Sequence, residues 1–162
     1  MTESLTTSIR IVDYKPMYRP YFKSLNEAWI NEFFTMEEPD RKMLDDPEGH
    51  IINQGGSILI ALQKDSPVGV CALVPWHGES SEFDFELAKM AVDPRARGRG
   101  VGELLGSAIL KKAREKGAKR IYLETNTILD TALRLYHRLG FKPIEQVDSP
   151  YSRCNTQMEY VF

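Results

Sequence analysis

Two hydrophobic patterns alternate along the 162-residue chain. Short runs rich in apolar and β-branched residues predict strands, and apolar residues three or four positions apart predict helices that bury one face. The predicted strands cover residues 8–14, 57–63, 68–74, 83–92, 119–124, 141–147 and 153–161. A helix is predicted from Pro16 or Pro20, a short one within 36–46, a long one over 101–116 and another over 129–139.

The order of these elements is β-α-α-β-β-β-α-β-α-β-β. Turn residues at 64–67 join two strands as a hairpin, so the early strands predict an antiparallel meander. A strand, the long helix and another strand follow as a βαβ unit, which joins parallel strands. The fold class is therefore α/β, with an α+β layout and one mixed sheet. No repeat, linker or low-complexity segment divides the chain, which predicts one domain over residues 1–162 with its core at about 8–162.

The most informative segment is the turn between the strand ending at Asp93–Pro94 and the helix beginning at Val101. It contains glycines at 98, 100 and 102 and arginines at 95, 97 and 99. Such a turn directs bare main-chain N–H groups and the positive end of a helix dipole towards one small volume. Glycines let the main chain approach a ligand closely, and arginines add charge-assisted contacts. The turn is therefore predicted to bind an anion, with a pyrophosphate as its preferred occupant.

Three interpretations of this turn compete. The first is a solvated glycine-rich loop, although such loops seldom lie between a strand and a long amphipathic helix. The second is a dinucleotide-binding turn, with Glu124 as the acidic ribose ligand, but Glu103 or Leu105 stands where its third glycine belongs. A Walker P-loop is excluded, because its motif does not occur. The third interpretation is an acyl-coenzyme A site.

Residues at 97, 100 and 102, as Arg97-x-x-Gly100-x-Gly102, resemble the [QR]-x-x-G-x-[GA] signature of the GNAT acetyltransferases. A second block is similar to that of many bacterial members, namely Leu123-Glu124-Thr125-Asn126 followed by Leu129-x-x-Ala132-x-x-Leu135-Tyr136-x-x-x-Gly140-Phe141. The element order resembles that family over nearly the whole chain, although the N-terminal half matches in layout only. The resemblance implies an acyl-CoA N-acyltransferase fold. It also implies transfer of an acetyl group from acetyl-CoA to a primary amine by direct attack in a ternary complex.

By this resemblance, two segments hold the donor acetyl-CoA. The strand before the turn would pair its main chain with the pantetheine arm, as an added strand does, through Met90, Ala91 and Val92. The turn would hold the pyrophosphate through Arg97, Gly98, Arg99, Gly100, Val101 and Gly102. The Met90 N–H would polarise the thioester carbonyl. Asn126 would bind the pantetheine or position the tyrosine described next; the alternative is an ordinary turn or cap residue.

The general base implied by the resemblance is Glu86. It lies fourteen residues before Gly100, which is the spacing of the catalytic glutamate in some family members, and it would act directly or through water. The alternative is a solvated carboxylate at the start of a strand. Weaker candidates for the base are Glu82, Asp84 and His77.

The general acid implied by the resemblance is Tyr136, which would protonate the leaving thiolate. It stands where many family members use a tyrosine for this purpose. The alternative is a core aromatic side chain, because Tyr136 shares a predicted helix face with Leu129, Ala132 and Leu133.

No motif identifies the acceptor, which is expected to be a small-molecule amine or a protein amine. An acidic run at 37–46 would attract a cationic amine, although a solvated helix face explains it better. Tyr151, Arg153 and Cys154 would line an acceptor pocket or simply lie on an amphipathic edge strand. Family members often dimerise, so a homodimer is one expectation, although no residue specifies its surface.

Composition narrows the function further. The net charge of −2 carries no basic excess, so a nucleic-acid partner is not expected. No apolar run is long enough to span a membrane, and no signal peptide is visible. Cys71 and Cys154 are expected to be reduced thiols of a cytoplasmic protein, and no residue set has metal-ligand spacing. One rival hypothesis is a CoA-binding sensor without catalysis, against which the presence of both Glu86 and Tyr136 argues. The other is the same fold acting on another acyl donor, which the donor-strand residues do not exclude.

Overall fold

The computed structural model of the chain describes residues 8–78, 82–145 and 148–162. The strands are β1 (Ile9–Asp13), β2 (Ser57–Gln63), β3 (Ser66–Pro75), β4 (Phe85–Val92), β5 (Arg120–Thr125), β6 (Lys142–Pro143) and β7 (Thr156–Val161). The helices are α1 (Arg19–Phe33), α2 (Glu38–Asp45), α3 (Pro47–His50), α4 (Val101–Glu115) and α5 (Asp130–Leu139). Short 3-10 turns lie at Pro16–Tyr18, Ile52–Gln54 and Pro94–Ala96.

All these strands form one sheet in the order β1-β2-β3-β4-β5-β7-β6. Strands β1 to β4 are an antiparallel meander, and Lys64 and Asp65 take positive φ in the two-residue turn between β2 and β3. The pair β4–β5 is parallel, with α4 as its crossover, and β7 is antiparallel to both β5 and β6. The predicted mixed sheet and α/β class are confirmed.

Helices cover both faces of the sheet. On one face α1 packs against β3 and β4, and its Phe22 and Ile30 are fully buried in a core shared with Leu44 of α2. On the other face α4 packs against β1 to β4, with Leu105 and Ile109 fully buried. Helix α5 packs beside α4 on that second face. The two faces are named below the α1 face and the α4 face.

The C-terminal strands and the first helices differ from their predicted bounds. Strand β6 is only two residues long and ends at Pro143, since proline has no N–H for the ladder. Part of its predicted range, residues 146–147, lies outside the described residues. Strand β7 begins at Thr156, and a turn at residues 152–153 precedes it. Helix α1 begins at Arg19, with Pro20 in its first turn. Helix α2 ends at Asp45, within the predicted range, and Pro47 then starts the separate short helix α3, as proline can in a first turn.

Both cysteines are free thiols, with Cys71 buried and Cys154 half-buried. Among the described helices, none is long and apolar enough to cross a membrane. In the described part of the chain, no group of His, Cys, Asp or Glu side chains is placed to hold a metal ion.

Candidate active site

The central feature of the site is a gap in the sheet between β4 and β5. The two strands pair only at Phe85 with Ile121 and at Glu86 with Tyr122, and beyond these pairs they diverge. The gap opens into a cavity of about 1010 Å³ that is lined from both faces of the sheet. We call its two ends the donor half and the acceptor half. Residues Met90–Val92, Arg97, Gly98, Gly100–Gly102, Asn126 and Tyr136 line the donor half. Residues Trp29, Phe34, Trp76, Glu86, Lys89, Glu124, Tyr151 and Arg153 line the acceptor half.

The donor half ends at the turn that precedes α4. Gly98 and Gly100 have φ angles of +80° and +77°, a region that side chains with a Cβ rarely adopt. Gly100 is the N-cap of α4, and no described side chain accepts a hydrogen bond from the first helical turn. The N-terminal N–H groups of α4 are therefore available to an anion, as predicted.

The three arginines of this turn differ in their contacts with the protein. The Arg95 main-chain N–H and guanidinium both donate to Asp93, at 2.9 Å each, so Asp93 holds the turn and occupies Arg95. Arg97 and Arg99 are exposed and form no ion pair with any described residue. Arg97 lines the cavity, whereas Arg99 does not. Two of the three arginines thus remain free to meet a ligand.

Gly102 serves helix packing more than ligand approach. A Cβ at this position would lie 3.0 Å from Leu135 Cδ2 of α5. The absence of a side chain therefore lets α4 and α5 pack closely, and this contact brings α5 to the side of the gap.

A β-bulge interrupts β4 beside the gap. Register pairs join Val70 to Ala91 and Ala72 to Ala88, so Lys89 and Met90 together lie opposite the single residue Cys71. Within the described strands, no residue of β4 after Glu86 pairs with β5. The main chain along this edge is therefore open to an extended ligand, which is the arrangement predicted for Met90, Ala91 and Val92.

Tyr136 reaches the gap from the α4 face. Its side chain packs in the core of that face, and among the described residues its hydroxyl has no hydrogen-bond partner. Burial, and secondarily the nearby Cys71, raise the pKa of Tyr136 above its ordinary value. The hydroxyl therefore stays protonated over the neutral and mildly alkaline range, as a proton donor requires.

Glu86 reaches the same cavity from the α1 face, and in the sheet it is paired with Val74 of β3. Its carboxylate is half-buried and has no hydrogen-bond or ion-pair partner in the described residues. Burial and then the charge of Glu124 raise the pKa of Glu86 to about 8, and the opposite charge of Lys89 acts against them. The predicted base and the predicted acid thus approach one gap from opposite faces of the sheet.

Asn126 lines the cavity, but its side-chain amide is already bonded to the protein. Its Nδ2 donates to the Arg153 carbonyl at 2.7 Å, and its Oδ1 accepts from the Ile128 N–H at 2.9 Å. These contacts favour the alternative in which Asn126 is a turn residue. Binding of the pantetheine by Asn126 stays a prediction.

The weaker base candidates lie in other surroundings. Asp84 accepts hydrogen bonds from the main-chain N–H groups of Lys119 and Arg120, so it fixes the start of β5. His77 is exposed at the acceptor half, and Glu82 is exposed outside the cavity.

Residues 20–141 match the family described as Acetyltransferase (GNAT) family. The chain belongs to the GNAT acetyltransferase family. The family resemblance found in the sequence is therefore confirmed.

Known relatives share only part of their length with this GNAT protein. An uncharacterised N-acetyltransferase of Escherichia coli, YjgM, is 41% identical over 78 residues, which are 48% of this chain and 46% of that protein. A rat protein, N-acetyltransferase 8F1, is 30% identical over 59% of this chain and 43% of its own length. The chain thus spans less than half the length of these relatives.

Solved structures show the same fold over almost the whole chain. A GNAT-family acetyltransferase of Staphylococcus aureus superimposes with a TM-score of 0.82 at 22% identity, covering 95% of this chain and 99% of the other. A putative acetyltransferase of Salmonella typhimurium, yncA, solved with acetyl-CoA, gives 0.75 at 17% identity over 94% and 93%. These similarities establish the fold of the GNAT protein.

Sequence reasoning missed a buried ion cluster at the acceptor half. Asp40 of α2 is fully buried, and its carboxylate accepts a bidentate pair of hydrogen bonds from Arg153 at 2.7 and 2.8 Å and one from Lys89 at 2.6 Å. Although burial raises the pKa of Asp40, Arg153 and Lys89 together bring it down to about 2. The expectation of a solvated acidic face is wrong for Asp40, although Asp45 and Asp46 are exposed. A polar residue flanked by helical signals carries no local mark of burial, so only the fold reveals it.

A second polar network lies on β5 beside Glu86. Glu124 accepts hydrogen bonds from the hydroxyls of Tyr122 at 2.6 Å and Ser149 at 2.8 Å, and Gln157 donates to Tyr122 at 2.7 Å. Glu124 has no cationic partner in the described residues. The glutamate considered as a ribose ligand therefore belongs to the acceptor half.

Proposed function

We propose that this protein transfers the acetyl group of acetyl-CoA to a primary amine by direct attack, with donor and acceptor bound together. The observation that carries the proposal is the single cavity that passes through the sheet between β4 and β5. It brings the turn before α4, the open edge of β4, Tyr136 and Glu86 to one volume. Two proteins with this fold, from Salmonella typhimurium and Thermoplasma acidophilum, were solved with acetyl-CoA and with coenzyme A, respectively.

The donor half fits an acyl-CoA in two respects. The free N–H groups at the start of α4 and the unpaired guanidinium of Arg97 would hold the pyrophosphate. The β4 edge after Glu86 would hydrogen-bond the pantetheine, which would bring the thioester to the bulge at Lys89–Met90. The Met90 N–H would then stabilise negative charge on the thioester oxygen.

Two proton transfers complete the reaction. The amine binds as an ammonium and first gives one proton to solvent; its neutral nitrogen then attacks the carbonyl carbon, forming the N–C bond while the C–S bond breaks. Glu86 takes the proton that the amine loses, directly or through water, and Tyr136 gives its proton to the sulfur. The raised pKa of each group suits its task, because Glu86 is half-titrated near pH 8 while Tyr136 remains protonated there.

The charges of the acceptor half favour a cationic amine. Its two cations, Lys89 and Arg153, are balanced by two carboxylates, because both pair with Asp40 and Arg153 also lies 3.5 Å from Glu37. Glu124 has no cationic partner among the described residues, and Glu86, which has none either, adds a second negative charge as the pH rises towards its pKa of about 8, so the pocket has an excess of negative charge. An amine without a carboxylate, either a small molecule or a protein amine, complements this charge.

The proposal also includes the compartment and the partners of the protein. The free thiols of Cys71 and Cys154 fit a reducing compartment such as the cytoplasm. A homodimer and the absence of a nucleic-acid partner remain expectations from the sequence.

A turnover assay tests the proposal. Purified protein is incubated with acetyl-CoA and each member of a panel of amines that includes diamines, amino acids and a lysine peptide, and release of the CoA thiol is followed. We expect amine-dependent thiol release, with mass spectrometry showing the acetylated amine. Saturable acetyl-CoA binding with no thiol release from any amine would instead fit the CoA-binding module without catalysis.

A further inference from the structure

Lys89 combines two features that are rare in a strand. Its φ angle is +53°, in the left-handed region that residues with a Cβ seldom adopt and that costs on the order of 1 kcal/mol. Its side chain is only 4% exposed, although it carries an ammonium group. A buried ammonium is strongly destabilising unless it is paired, so specific contacts must hold this residue in place.

Those contacts come from two distant segments. The ammonium donates to Asp40 Oδ1 of α2 at 2.6 Å and to the Tyr151 hydroxyl at 3.0 Å, and it lies 4.7 Å from the centre of the Tyr151 ring. Burial lowers the pKa of Lys89, and Asp40 acts against that shift. The side chain thus ties the β4 bulge to α2 and to the segment before β7.

Asp40 joins the same segments to each other. Its Oδ1 accepts from both Lys89 and Arg153, and its Oδ2 accepts from Arg153 and from the Glu37 N–H. The Arg153 guanidinium also lies over the Tyr151 ring, 4.4 Å from its centre. One buried carboxylate therefore fixes the wall of the acceptor half to the bulge.

The bulge is the part of β4 on which the proposed chemistry depends. Lys89 directly precedes Met90, whose N–H is the predicted donor to the thioester oxygen, and it follows Glu86 by three residues. A change in the Lys89 main chain would rotate the Met90 peptide. The groups whose charges act on Glu86 or Lys89 are Asp40 of α2, Glu86 and Lys89 of β4, Glu124 and Tyr122 of β5, and Tyr151 and Arg153 before β7.

We propose that Lys89 is a positioning residue of the transfer reaction. It anchors the β4 bulge to Asp40 and Tyr151, and so fixes the position of the Met90 main chain relative to Glu86. The proposal rests on the proposed function, since it assigns Lys89 a part in the same reaction. It also makes a claim about the bulge that can be measured without any activity.

The test compares Lys89→Met with Lys112→Met. Lys112 forms an ion pair with Asp13 at 3.0 Å on the surface, so the control removes the same charge from an ion pair away from the cavity. For Lys89→Met we expect kcat to fall by about 100-fold, as a small misplacement of reacting groups does. The rise of the rate with pH should move to higher pH, because a positive charge near Glu86 is lost. Lys89→Arg should recover part of the kcat loss and move the pH profile back.

Hydrogen–deuterium exchange provides the readout that needs no activity. We expect the amides of residues 88–91 to exchange faster in Lys89→Met than in the wild type or in Lys112→Met. If the wild type acetylated no amine, the proposed function would fail, and the exchange data would still decide whether Lys89 anchors the bulge.

Tyr151→Phe keeps the test decisive if Lys89→Met does not fold. It removes the hydroxyl that accepts from Lys89 and retains the ring, so the core should tolerate it. We expect a kcat loss of about three- to tenfold, corresponding to one hydrogen bond, and faster exchange at 88–91. A lower melting temperature with wild-type kcat, pH profile and exchange in each variant that folds would show that the cluster is only structural and would overturn the proposal.

Discussion

The donor half and the acceptor half of the cavity are built in opposite ways. The donor half is built mostly of main chain from one stretch of sequence, since its glycine turn, helix N-terminus and unpaired strand edge lie between residues 85 and 102, and only Asn126 and Tyr136 come from elsewhere. The acceptor half consists of side chains from α1, α2, β4, β5 and the segment before β7, brought together by one buried carboxylate. The difference implies that the donor half recognises its ligand, the proposed acetyl-CoA, through local main-chain geometry, whereas the shape of the acceptor half depends on the whole fold.

The largest effect is expected at the gap where the halves meet. Tyr136→Phe removes only the hydroxyl, which has no protein partner in the described chain. Since general acid catalysis contributes about 10²- to 10⁴-fold, kcat should fall within that range while the Kd for acetyl-CoA changes little. Steady-state kinetics and a binding titration on the same preparation check this. An unchanged kcat would remove Tyr136 from the mechanism.

Glu86→Gln addresses the acceptor side of the same gap. The wild-type kcat/KM should rise with pH until about 8, because only the carboxylate form accepts a proton and its pKa is raised to that value. In the variant, the rate should fall by about 100-fold and lose this rise. A pH profile measured from 6 to about 9.5 compares the two, and a variant profile parallel to that of the wild type would exclude Glu86 as the base.

The smallest effects are expected for substitutions of the glycines of the donor half, and they distinguish Gly100 from Gly102. Gly100→Ala places a Cβ at a φ of +77°, so we expect a loss of stability of about 1 kcal/mol and weaker acetyl-CoA binding. Gly102→Ala places a Cβ closest to α5, 3.0 Å from Leu135 Cδ2, so the Kd should rise less than in Gly100→Ala. Thermal melts and binding titrations distinguish the two variants, and an equal loss of acetyl-CoA affinity in both would mean that both glycines face the ligand.

The sequence predicts the donor half of the cavity better than the acceptor half. The strands β2 to β5, the helices α4 and α5, and the open turn at 97–102 follow from local periodicity and from turn residues, and the structure has them. The fold also brings Glu86 and Tyr136 to one cavity, as the family resemblance implied, although their roles remain predictions.

The acceptor half could not be predicted in the same way. The contact between Lys89 and Asp40 spans 49 residues and that between Arg153 and Asp40 spans 113, and no periodicity links positions so far apart. The bulge at Lys89–Met90 is equally invisible, because an extra residue in a strand leaves the apolar pattern almost unchanged. Arg95 was counted with the ligand-binding arginines, but its bond to Asp93 depends on a 3-10 turn that the sequence did not predict.

The most direct test of the account is a calorimetric titration with acetyl-CoA, with NADH and ATP as controls, for the wild type, the Arg97→Ala/Arg99→Ala double variant and Arg95→Ala. Arg95 lies on the same turn but is paired with Asp93, so it is the matched control for loss of a positive charge. The account predicts selective acetyl-CoA binding that weakens by at least about tenfold in the double variant, as the loss of charge-assisted hydrogen bonds requires, and much less in Arg95→Ala. Absence of acetyl-CoA binding, or a preference for NADH, would contradict it.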